Sequence, residues 1–423
     1  MKQVIRKFYL VGIKGTGMSS LACILKDMGN EVKGSDVEEY FFTEKSLKDR
    51  NISYEVFTDI LDNDYFYIIS NAYDESNITV NKIYKDKLKY LYYHDFIETY
   101  FKKIKIGICG SHGKTTTTSI VAKVLEDENI CYLSGDSQGK GNSDYNYFVF
   151  EACEYKNHFL RYSYDYLIMT NVDYDHPDFF KSKEDYFESF KKVSQKTKCL
   201  IANGDDENIK KIKHKNKITY GFNYDNDYVI YSINKYKNGY CINVVSKENE
   251  KKLFIPFYGV HNILNVVSSY VLVDILKLNI PFQKKIYEFK LPKRRMEERI
   301  YKSNILICDY AHHPTEIKAL IDSVIEKYSK EIIIIFQPHT YSRTLVLKDE
   351  FKKCFSKVSN LYIMRTFTSR EKYDEDKEKE VREIFSSFKD YNDDVLNTLK
   401  KESDKVIIFL GAGSVDKEMN KLL

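Results

Sequence analysis

The sequence lacks a long apolar run, a CxxC pair and an excess of either charge sign, and each absence excludes a class of protein. No stretch approaches the roughly 20 apolar residues that a membrane-spanning helix needs. Lysine and arginine together number 66 against 62 acidic residues, a balance typical of a solvated surface rather than a nucleic-acid interface. We therefore expect neither a nucleic acid nor a membrane as a partner.

The cysteines and the start of the chain indicate a protein of the reducing cytoplasm. Eight cysteines are scattered singly, which favours free thiols over a disulfide framework or a zinc site. The opening residues, MKQVIRKFYLVGIKGTG, pass from a short apolar run directly into a glycine turn. This order predicts a first strand rather than a cleavable signal peptide. We expect a cytoplasmic location.

One arrangement occurs three times along the chain: a strand, a turn rich in glycine or histidine, and an amphipathic helix. The strands are predicted at Lys7–Gly12, Ile104–Cys109 and Asn304–Asp309, and the helices at Met18–Met28, at Lys114–Asp127 and from Pro314. This order predicts parallel sheets covered by helices, with ligands bound at the carboxyl ends of the strands.

The length of 423 residues exceeds what one hydrophobic core usually supports. We predict an α/β protein of three domains. These are a Rossmann-like N-terminal domain over residues 1–102, a central P-loop ATPase-like parallel-sheet domain over residues 103–290, and a Rossmann-like C-terminal domain over residues 291–423. The mixed-sign segment Glu371–Glu380 is predicted to be a solvated loop or helix.

The segment GICGSHGKTTTT, Gly107–Thr118, is predicted to bind phosphate. It opens a helix after a strand, where exposed backbone N–H groups attract phosphate oxygens. In such a loop Lys114 reaches the β- and γ-phosphates of ATP, and the hydroxyl of Thr115 ligates Mg²⁺. The match to the general P-loop pattern is incomplete, because Ile108 holds the place of the first glycine and Gly110 supplies the loop glycine. An incidental glycine-rich turn is the alternative.

Further Mg²⁺ ligands are expected outside this loop, because the ion prefers octahedral oxygen coordination with help from carboxylates. Glu151 ends the apolar run of FVFEACEY, and Asn171, Asp175 and His176 end the following segment YLIMTNVDYDHPD. Taken singly, a carboxylate at a strand end is more often a helix cap or a surface charge. Histidine is likewise an unusual Mg²⁺ ligand, and alone it would be interpreted as structural.

The first turn, GIKGTGMSS, is similar to a dinucleotide-binding turn. Asp36 lies roughly 20 residues further on, as the ribose-binding acid does in Rossmann folds. NAD binding is therefore one interpretation, but the glycines follow G-x-x-G-x-G rather than G-x-G-x-x-G, which is too loose to name a cofactor. The same glycines would also simply permit a tight turn from strand to helix.

Seven motifs occur in one order along the chain: GSHGKTTTT, EACEY, NVDYDHPD, GVHNILN, RRME, DYAHHPTEI and FQPHTYSRT. The set covers nearly the whole chain and resembles the Mur ligases, in particular those that join L-alanine to UDP-N-acetylmuramate. Each motif alone is weak, whereas seven ordered matches over three domains are highly specific. The resemblance implies an ATP-dependent acid–amino-acid ligase of peptidoglycan synthesis, with roles in cell-wall biogenesis, cell shape and cell division.

The resemblance also implies residue roles. It implies Mg²⁺ ligands at Thr115, Glu151 and His176, and catalytic roles for Lys114, Glu151, His176, Arg295 and His312. It implies that ATP contacts Gly110, Ser111, His112, Gly113, Lys114, Thr115, Thr116, Asn262, Asn265, Arg295 and Asp309. The UDP-sugar is expected at Gly15, Thr16, Gly17 and Met18, with Asp36 near its nucleoside end. For the asparagines, an alternative is a cap of the amphipathic helix, formed by His261 and Asn262.

In the third domain, Arg343 corresponds to a position associated with the incoming amino acid, where a guanidinium pairs bidentately with a carboxylate. A basic residue at a helix start is otherwise often just exposed. Thr340 stands where some relatives are expected to carry a further arginine. Six of the nine histidines fall inside the motifs, so several are expected to share one cleft: His112, His176, His261, His312, His313 and His339.

The implied reaction activates the lactyl carboxylate as an acyl phosphate, which alanine then attacks; closure of the domains is expected to exclude water. We expect a monomer or a weak dimer. One alternative is a related ligase that attaches a preformed peptide to the same sugar nucleotide. Another is a folate polyglutamate ligase, against which the UDP-type turn argues. The third is a non-catalytic nucleotide-binding regulator of the cell wall, which the intact catalytic set opposes.

Overall fold

The computed structural model describes residues 5–423, so the first four residues of the opening segment lie outside the described part of the chain. Three sheets follow one another along the sequence, at residues 7–92, 104–255 and 297–410, and helices pack against each. The predicted α/β fold of three domains is confirmed. Among the described residues, no helix is both long and apolar enough to cross a membrane.

The first domain has a Rossmann-like sheet. Its elements are β1 (Lys7–Val11), α1 (Thr16–Asp27), β2 (Glu31–Asp36), α2 (Glu44–Lys48), β3 (Ser53–Val56), β4 (Phe66–Ile69), α3 (Ile78–Lys85), β5 (Tyr90–Tyr92) and α4 (Tyr93–Tyr100). The strands lie in the order β3-β2-β1-β4-β5, and every neighbouring pair is parallel. The central β1 is buried on both faces, which explains its continuous apolar run.

The central domain contains the largest sheet. Its elements are β6 (Ile104–Cys109), α5 (Lys114–Val124), β7 (Ile130–Leu133), β8 (Gly139–Lys140), β9 (Tyr147–Glu151), a 3₁₀ segment (Tyr155–Arg161), β10 (Tyr164–Met169), α6 (Lys183–Ser194), β11 (Thr197–Asn203), α7 (Glu207–Lys210), β12 (Lys217–Gly221), β13 (Tyr228–Tyr236), β14 (Gly239–Val245), β15 (Glu250–Ile255), α8 (Val260–Ile275) and α9 (Phe282–Glu288). The order is β15-β14-β13-β12-β11-β10-β6-β9-β7-β8.

This central sheet is mixed rather than wholly parallel. Strands β6, β7 and β9 to β13 form a parallel core. Strands β14 and β15 add an antiparallel meander at one edge, and β8 pairs antiparallel with β7 at the other. The meander was not predicted from the sequence. The reason is that β13 exposes most of its second half, so its sequence lacks the apolar run of a buried strand.

The third domain is again doubly wound. Its elements are β16 (Glu297–Tyr301), β17 (Asn304–Asp309), α10 (Pro314–Lys327), β18 (Glu331–Phe336), α11 (Tyr341–Val346), α12 (Lys348–Cys354), β19 (Asn360–Ile363), α13 (Glu375–Ile384), β20 (Lys389–Asp390), α14 (Asp393–Leu399), β21 (Lys405–Leu410) and α15 (Val415–Asn420). The order is β16-β17-β21-β18-β19-β20, and only the β16–β17 pair is antiparallel. The mixed-sign segment is mainly the helix α13.

One apolar core continues from the first domain into the central domain. One buried cluster runs from Phe8 on β1 through Phe96 on α4 to Phe148 on β9 and Phe190 on α6. Phe101, just after α4, stacks on Phe148 with ring centroids 3.9 Å apart. Burial of this aromatic surface stabilises the junction strongly, because aromatic side chains contribute the largest apolar areas.

The third domain contacts the central one differently. Its two buried apolar clusters take all their members from between residues 306 and 422 of the described chain. Tyr174 of the central domain packs against one of these clusters. Most of the bridging contacts are polar: His313 reaches the carbonyl of Tyr174 at 3.1 Å, and Arg343 and Arg370 pair with Asp175 and Asp178. The third domain is therefore held by ionic and hydrogen-bonded contacts rather than by a common core.

Candidate active site

The loop between β6 and α5 has the shape of a phosphate-binding loop. Gly113 precedes α5 with φ +80°, and a Cβ there would lie 2.8 Å from Oδ1 of Asn265 on α8. The same Oδ1 accepts a hydrogen bond from the hydroxyl of Thr117 at 3.1 Å. Only glycine fits this close approach. Asn265 therefore lies against the loop, whereas Asn262 donates to the carbonyl of Tyr258 at 2.7 Å.

Residues after β10 fix the backbone of this loop. The N–H of His112 donates to Oδ1 of Asn171 at 2.9 Å, and the N–H of Ser111 donates to the carbonyl of Asn171 at 3.1 Å. The hydroxyl of Thr170 donates to the carbonyl of His112 at 2.7 Å. Thr116 is buried in the first turn of α5. The strand-end asparagine thus acts by shaping the loop.

Lys114 contacts a buried carboxylate that was not predicted from the sequence as a site residue. Its Nζ lies 2.7 Å from the carbonyl of Gly110 and 3.0 Å from Oε2 of Glu154. Burial alone would raise the pKa of Glu154, but the charges of Lys114 and His176 outweigh it and hold that pKa below its usual value. Glu154 is in the motif EACEY, three residues after Glu151, so the pair of carboxylates was visible in the sequence.

Two of the three expected Mg²⁺ ligands lie together. The hydroxyl of Thr115 donates to Oε2 of Glu151 at 2.8 Å, and the N–H of Gly135 donates to the same oxygen at 3.0 Å. Burial raises the pKa of Glu151. A hydroxyl and a carboxylate beside a phosphate loop fit Mg²⁺, which prefers oxygen donors. His176 instead places Nε2 3.4 Å from Oε1 of Glu154, and so joins this pair through the second carboxylate.

The third domain presents Glu316 at the start of α10 as the centre of a charged cluster. One of its oxygens lies 3.6 Å from both Nη1 of Arg295 and Nδ1 of His112, and the other lies 3.5 Å from Nδ1 of His312. Burial opposes ionisation of Glu316, yet the hydrogen bond and charge of His112 hold its pKa well below the usual value. Glu316 is part of the motif DYAHHPTEI but was not predicted as a site residue.

The histidines of this cleft differ in charge. Burial opposes protonation of His112, but hydrogen bonds with Asp173 and Glu316 prevail and raise its pKa to about 9. Burial, with the charge of Arg343, lowers the pKa of His312 to about 3. Burial and the charge of Arg295 lower the pKa of His261 to about 4. At neutral pH the first ring is a cation, and the other two are neutral.

Asp309 supports the backbone around Arg295. Its carboxylate accepts from the N–H of Met296 at 2.6 Å and from the N–H of Ala311 at 2.8 Å. Burial raises the pKa of Asp309, against the opposing charge of Arg295. This carboxylate thus connects the RRME segment to the end of β17.

Arg343 is buried rather than exposed at its helix start. It is 1% exposed, with Nε 2.7 Å from Oδ1 of Asp175 and Nη2 3.3 Å from Oδ2. Nη1 lies 2.8 Å from Nδ1 of His339. In this structure the guanidinium pairs bidentately with the carboxylate of Asp175 in the central domain. Thr340 caps α11 by accepting from the N–H of Arg343.

Arg370 was not predicted, and it occupies the more open part of this cleft. Its guanidinium pairs with both oxygens of Asp178, at 2.9 and 3.1 Å, and lies 3.2 Å from Nδ1 of His176. It also lies over the ring of Tyr155, 4.0 Å from the centroid. No motif contains this arginine, so only tertiary proximity identifies it.

The first-domain turn is built tightly around Asp36. Its carboxylate accepts from the N–H of Lys14 at 2.6 Å and from the N–H of Val37 at 2.8 Å, and from the hydroxyl of Tyr73 at 3.2 Å. Gly15 precedes α1, whose first residues include Thr16, Gly17 and Met18. The helix begins two residues earlier than predicted. Asp36 therefore holds the turn in place.

Tyr93 connects this turn to the central site. A Cβ on Gly17 would lie 2.6 Å from the Tyr93 hydroxyl, so the glycine permits this contact. Burial raises the pKa of Tyr93, and the nearby Cys153 and Glu151 raise it further. The phenol thus lies against the start of α1, and the charge of the carboxylate beside the phosphate loop acts on its titration.

Three family models match the chain in succession. Residues 7–103 match "Mur ligase family, catalytic domain", residues 108–273 match "Mur ligase middle domain", and residues 294–413 match "Mur ligase, glutamate ligase domain".

Solved structures with the same fold span almost the full chain. UDP-N-acetylmuramate-alanine ligase MurC from Thermotoga maritima is 24% identical, with 98% of each chain covered and a TM-score of 0.77. A murein peptide ligase from Psychrobacter arcticus is 17% identical over 99% of this chain and 98% of its own, with a TM-score of 0.70. A pseudomurein peptide ligase type C from Methanothermus fervidus is 19% identical over 99% and 100%, with a TM-score of 0.63.

The phosphate loop, the arrangement of the three sheets and the succession of family matches agree with one another. The chain belongs to the Mur ligase family, the ATP-dependent acid–amino-acid ligases with three α/β domains.

Proposed function

We propose that this ligase joins L-alanine to the lactyl carboxylate of UDP-N-acetylmuramate, with ATP converted to ADP and phosphate. The main support is geometric: the hydroxyl of Ser20 on α1 lies 3.5 Å from the carbonyl of Ser134, and the next residue, Gly135, donates its N–H to Glu151 beside the phosphate loop. A sugar nucleotide whose diphosphate lies on Gly15–Met18 would extend its acid from there toward the phosphate loop. The ordered motifs from GSHGKTTTT to FQPHTYSRT favour the alanine-adding reaction.

The chemistry follows from the weakness of a carboxylate as an electrophile. A carboxylate oxygen attacks the γ-phosphorus, the bond to the β-phosphate oxygen breaks, and ADP leaves an acyl phosphate behind. The amine of alanine then adds to the acyl carbon, and the tetrahedral intermediate expels phosphate and loses a proton. Such a transfer depends mainly on alignment and neutralisation of charge.

Lys114, Arg295 and His112 would supply positive charge around the triphosphate. His312 would contribute a neutral ring, because its pKa of about 3 leaves it uncharged at neutral pH. Thr115 and Glu151 would hold Mg²⁺, with His176 as a further candidate ligand; when bound, this ion neutralises phosphate oxygens. Asn262 and Asn265 would border the adenine side, and Arg343 would act on the amino acid, directly or through Asp175 and His339.

The test measures phosphate release from Mg-ATP with purified full-length protein. UDP-N-acetylmuramate and L-alanine are omitted in turn, and L-alanine is compared with glycine, L-serine and a preformed tripeptide. We expect release only with both the sugar nucleotide and an amino acid, and fastest with L-alanine. Faster release with the tripeptide would assign the recycling reaction instead, and no release with any amine would favour the non-catalytic alternative.

A further inference from the structure

Two histidines and an aspartate from different domains meet beside the phosphate loop. Nε2 of His112 lies 3.2 Å from Oδ2 of Asp173, and Nδ1 of His313 lies 3.5 Å from the same oxygen. One donor atom of each residue lies within 4.8 Å of the other two. Donor atoms around a tetrahedral zinc ion are about 3.3 Å apart, given bonds of about 2 Å. Small side-chain movements would therefore bring all three into contact with one ion.

The other atoms of these residues already have partners that orient them. Nδ1 of His112 faces Glu316 at 3.6 Å, and Nε2 of His313 contacts the carbonyl of Tyr174 at 3.1 Å. Two of the proposed donor atoms also accept hydrogen bonds from Thr315, which an ion would have to displace: Oδ2 of Asp173 from its hydroxyl, and Nδ1 of His313 from its N–H at 3.3 Å. Histidines that bind metals almost always donate their second ring N–H to a carboxylate or a carbonyl, which fixes the tautomer and the ring direction. The cluster has this arrangement at both rings.

We propose that His112, Asp173 and His313 bind a transition-metal ion of the Zn²⁺ type, at a site separate from the Thr115–Glu151 pair. Two imidazoles and one carboxylate suit Zn²⁺, Co²⁺ or Ni²⁺, whereas Mg²⁺ selects oxygen ligands. Three protein ligands leave the fourth position of the ion for water. The identity of the amino acid that the enzyme joins does not enter this inference.

The ion would link two domains. His112 and Asp173 belong to the central domain, and His313 precedes α10 of the third. A bound ion therefore fastens the phosphate loop to the third domain and displaces the proton that His112 shares with Asp173 and Glu316. We expect micromolar Zn²⁺ to inhibit ligation, because it opposes the separation of the domains that substrate exchange requires.

The experiment titrates the full chain, free of nucleotide, with Co²⁺ as a spectroscopic probe. We expect one equivalent to bind with the visible absorption of a nitrogen-containing site, to be displaced by Zn²⁺, and to resist excess Mg²⁺. His313→Ala and Asp173→Asn should each weaken Co²⁺ binding at least about tenfold. Two matched controls, His176→Ala and His214→Gln, should leave it unchanged, since His176 belongs to the other site and His214 contacts Thr197.

X-ray absorption of the zinc-loaded wild-type protein provides a second measurement that requires no variant to fold. We expect two imidazole ligands in the first coordination sphere. Full Co²⁺ affinity in His313→Ala, loss of binding in His176→Ala alone, or fewer than two imidazoles on zinc would each overturn the proposal. Because these measurements use neither ATP nor a sugar nucleotide, they fail or succeed independently of the ligase assay.

Discussion

At the scale of single residues, the site depends on charges that are buried in pairs. Lys114 and Glu154 are one such pair, and the Glu154 side chain is 1% exposed. Removing one partner of a buried pair leaves an uncompensated charge and costs about 3–5 kcal/mol, whereas removing both is often nearly neutral. Loss of activity in a lysine variant could therefore reflect unfolding as easily as chemistry, unless the pair is removed together.

We predict that Lys114→Met lowers the free energy of unfolding by about 3 kcal/mol, and that adding Glu154→Gln recovers most of that loss. Neither variant should turn over ATP, because the β- and γ-phosphates lose their lysine. Urea unfolding followed by circular dichroism measures the first effect, and phosphate release measures the second. Turnover by the double variant would remove Lys114 from the mechanism.

The pair of Arg343 and Asp175 behaves in the same way but joins two domains. We predict a coupling energy of about 2 kcal/mol or more between Arg343→Met and Asp175→Asn in a double-mutant cycle of unfolding. Additive losses would show that the bidentate contact contributes nothing to stability.

A higher KM for the amino acid in Arg343→Lys, with ATP affinity unchanged, would support the proposed role of Arg343 at that substrate.

At the scale of elements, α4 shows how burial shifts the titration of a packed histidine. His94 lies in the junction between the first two domains, where its Nδ1 is 2.5 Å from the hydroxyl of Tyr162. Burial, together with the neighbouring His158 and Arg161, lowers the pKa of His94 to about 3. In the unfolded chain that pKa returns to about 6.5, so the unfolded state binds more protons between these values.

The free energy of unfolding should therefore fall as the pH falls below about 6.5, and His94 alone should account for about 2 kcal/mol between pH 7 and pH 5. We predict that His94→Gln, which cannot take up a proton, loses that much less stability over this range than the wild type. Urea titrations at the two pH values measure the difference. His214→Gln, in the loop between α7 and β12, serves as the control; equal acid sensitivity in wild type and His94→Gln would contradict the prediction.

At the scale of the whole molecule, the two domain junctions differ in kind. The first two domains share an apolar core, so separating them would expose large aromatic surfaces to water. The third domain is held mainly by polar contacts, which exchange with water at a much smaller net cost. Any opening of the cleft should therefore move the third domain relative to the other two.

Arg370 is placed to shift that opening. The ion pair between Arg370 and Asp178 is partly exposed, so it should stabilise the closed arrangement of the third domain by about 1 kcal/mol. Its removal should raise the population of the open arrangement about fivefold. We predict that Arg370→Ala has a larger radius of gyration than the wild type in small-angle X-ray scattering without ligands. The two should converge when an ATP analogue and UDP-N-acetylmuramate are added.

Arg382→Ala is the matched control, because Arg382 contacts Asp390 and the carbonyl of Ile363 within the third domain. Its scattering should equal that of the wild type. Identical curves for all three proteins, with and without ligands, would argue against closure of the third domain.

The sequence by itself determined the fold class, the three sheets and the phosphate loop, because these depend on local patterns: apolar strands, glycine turns and amphipathic helices. Ordered motifs then indicated the family. Only the tertiary structure identified Glu154, Glu316 and Arg370 as parts of the cleft, and only it paired Arg343 with Asp175. The physical reason is that charge pairing and burial arise between residues far apart in the chain, so no local pattern encodes which carboxylate meets which cation.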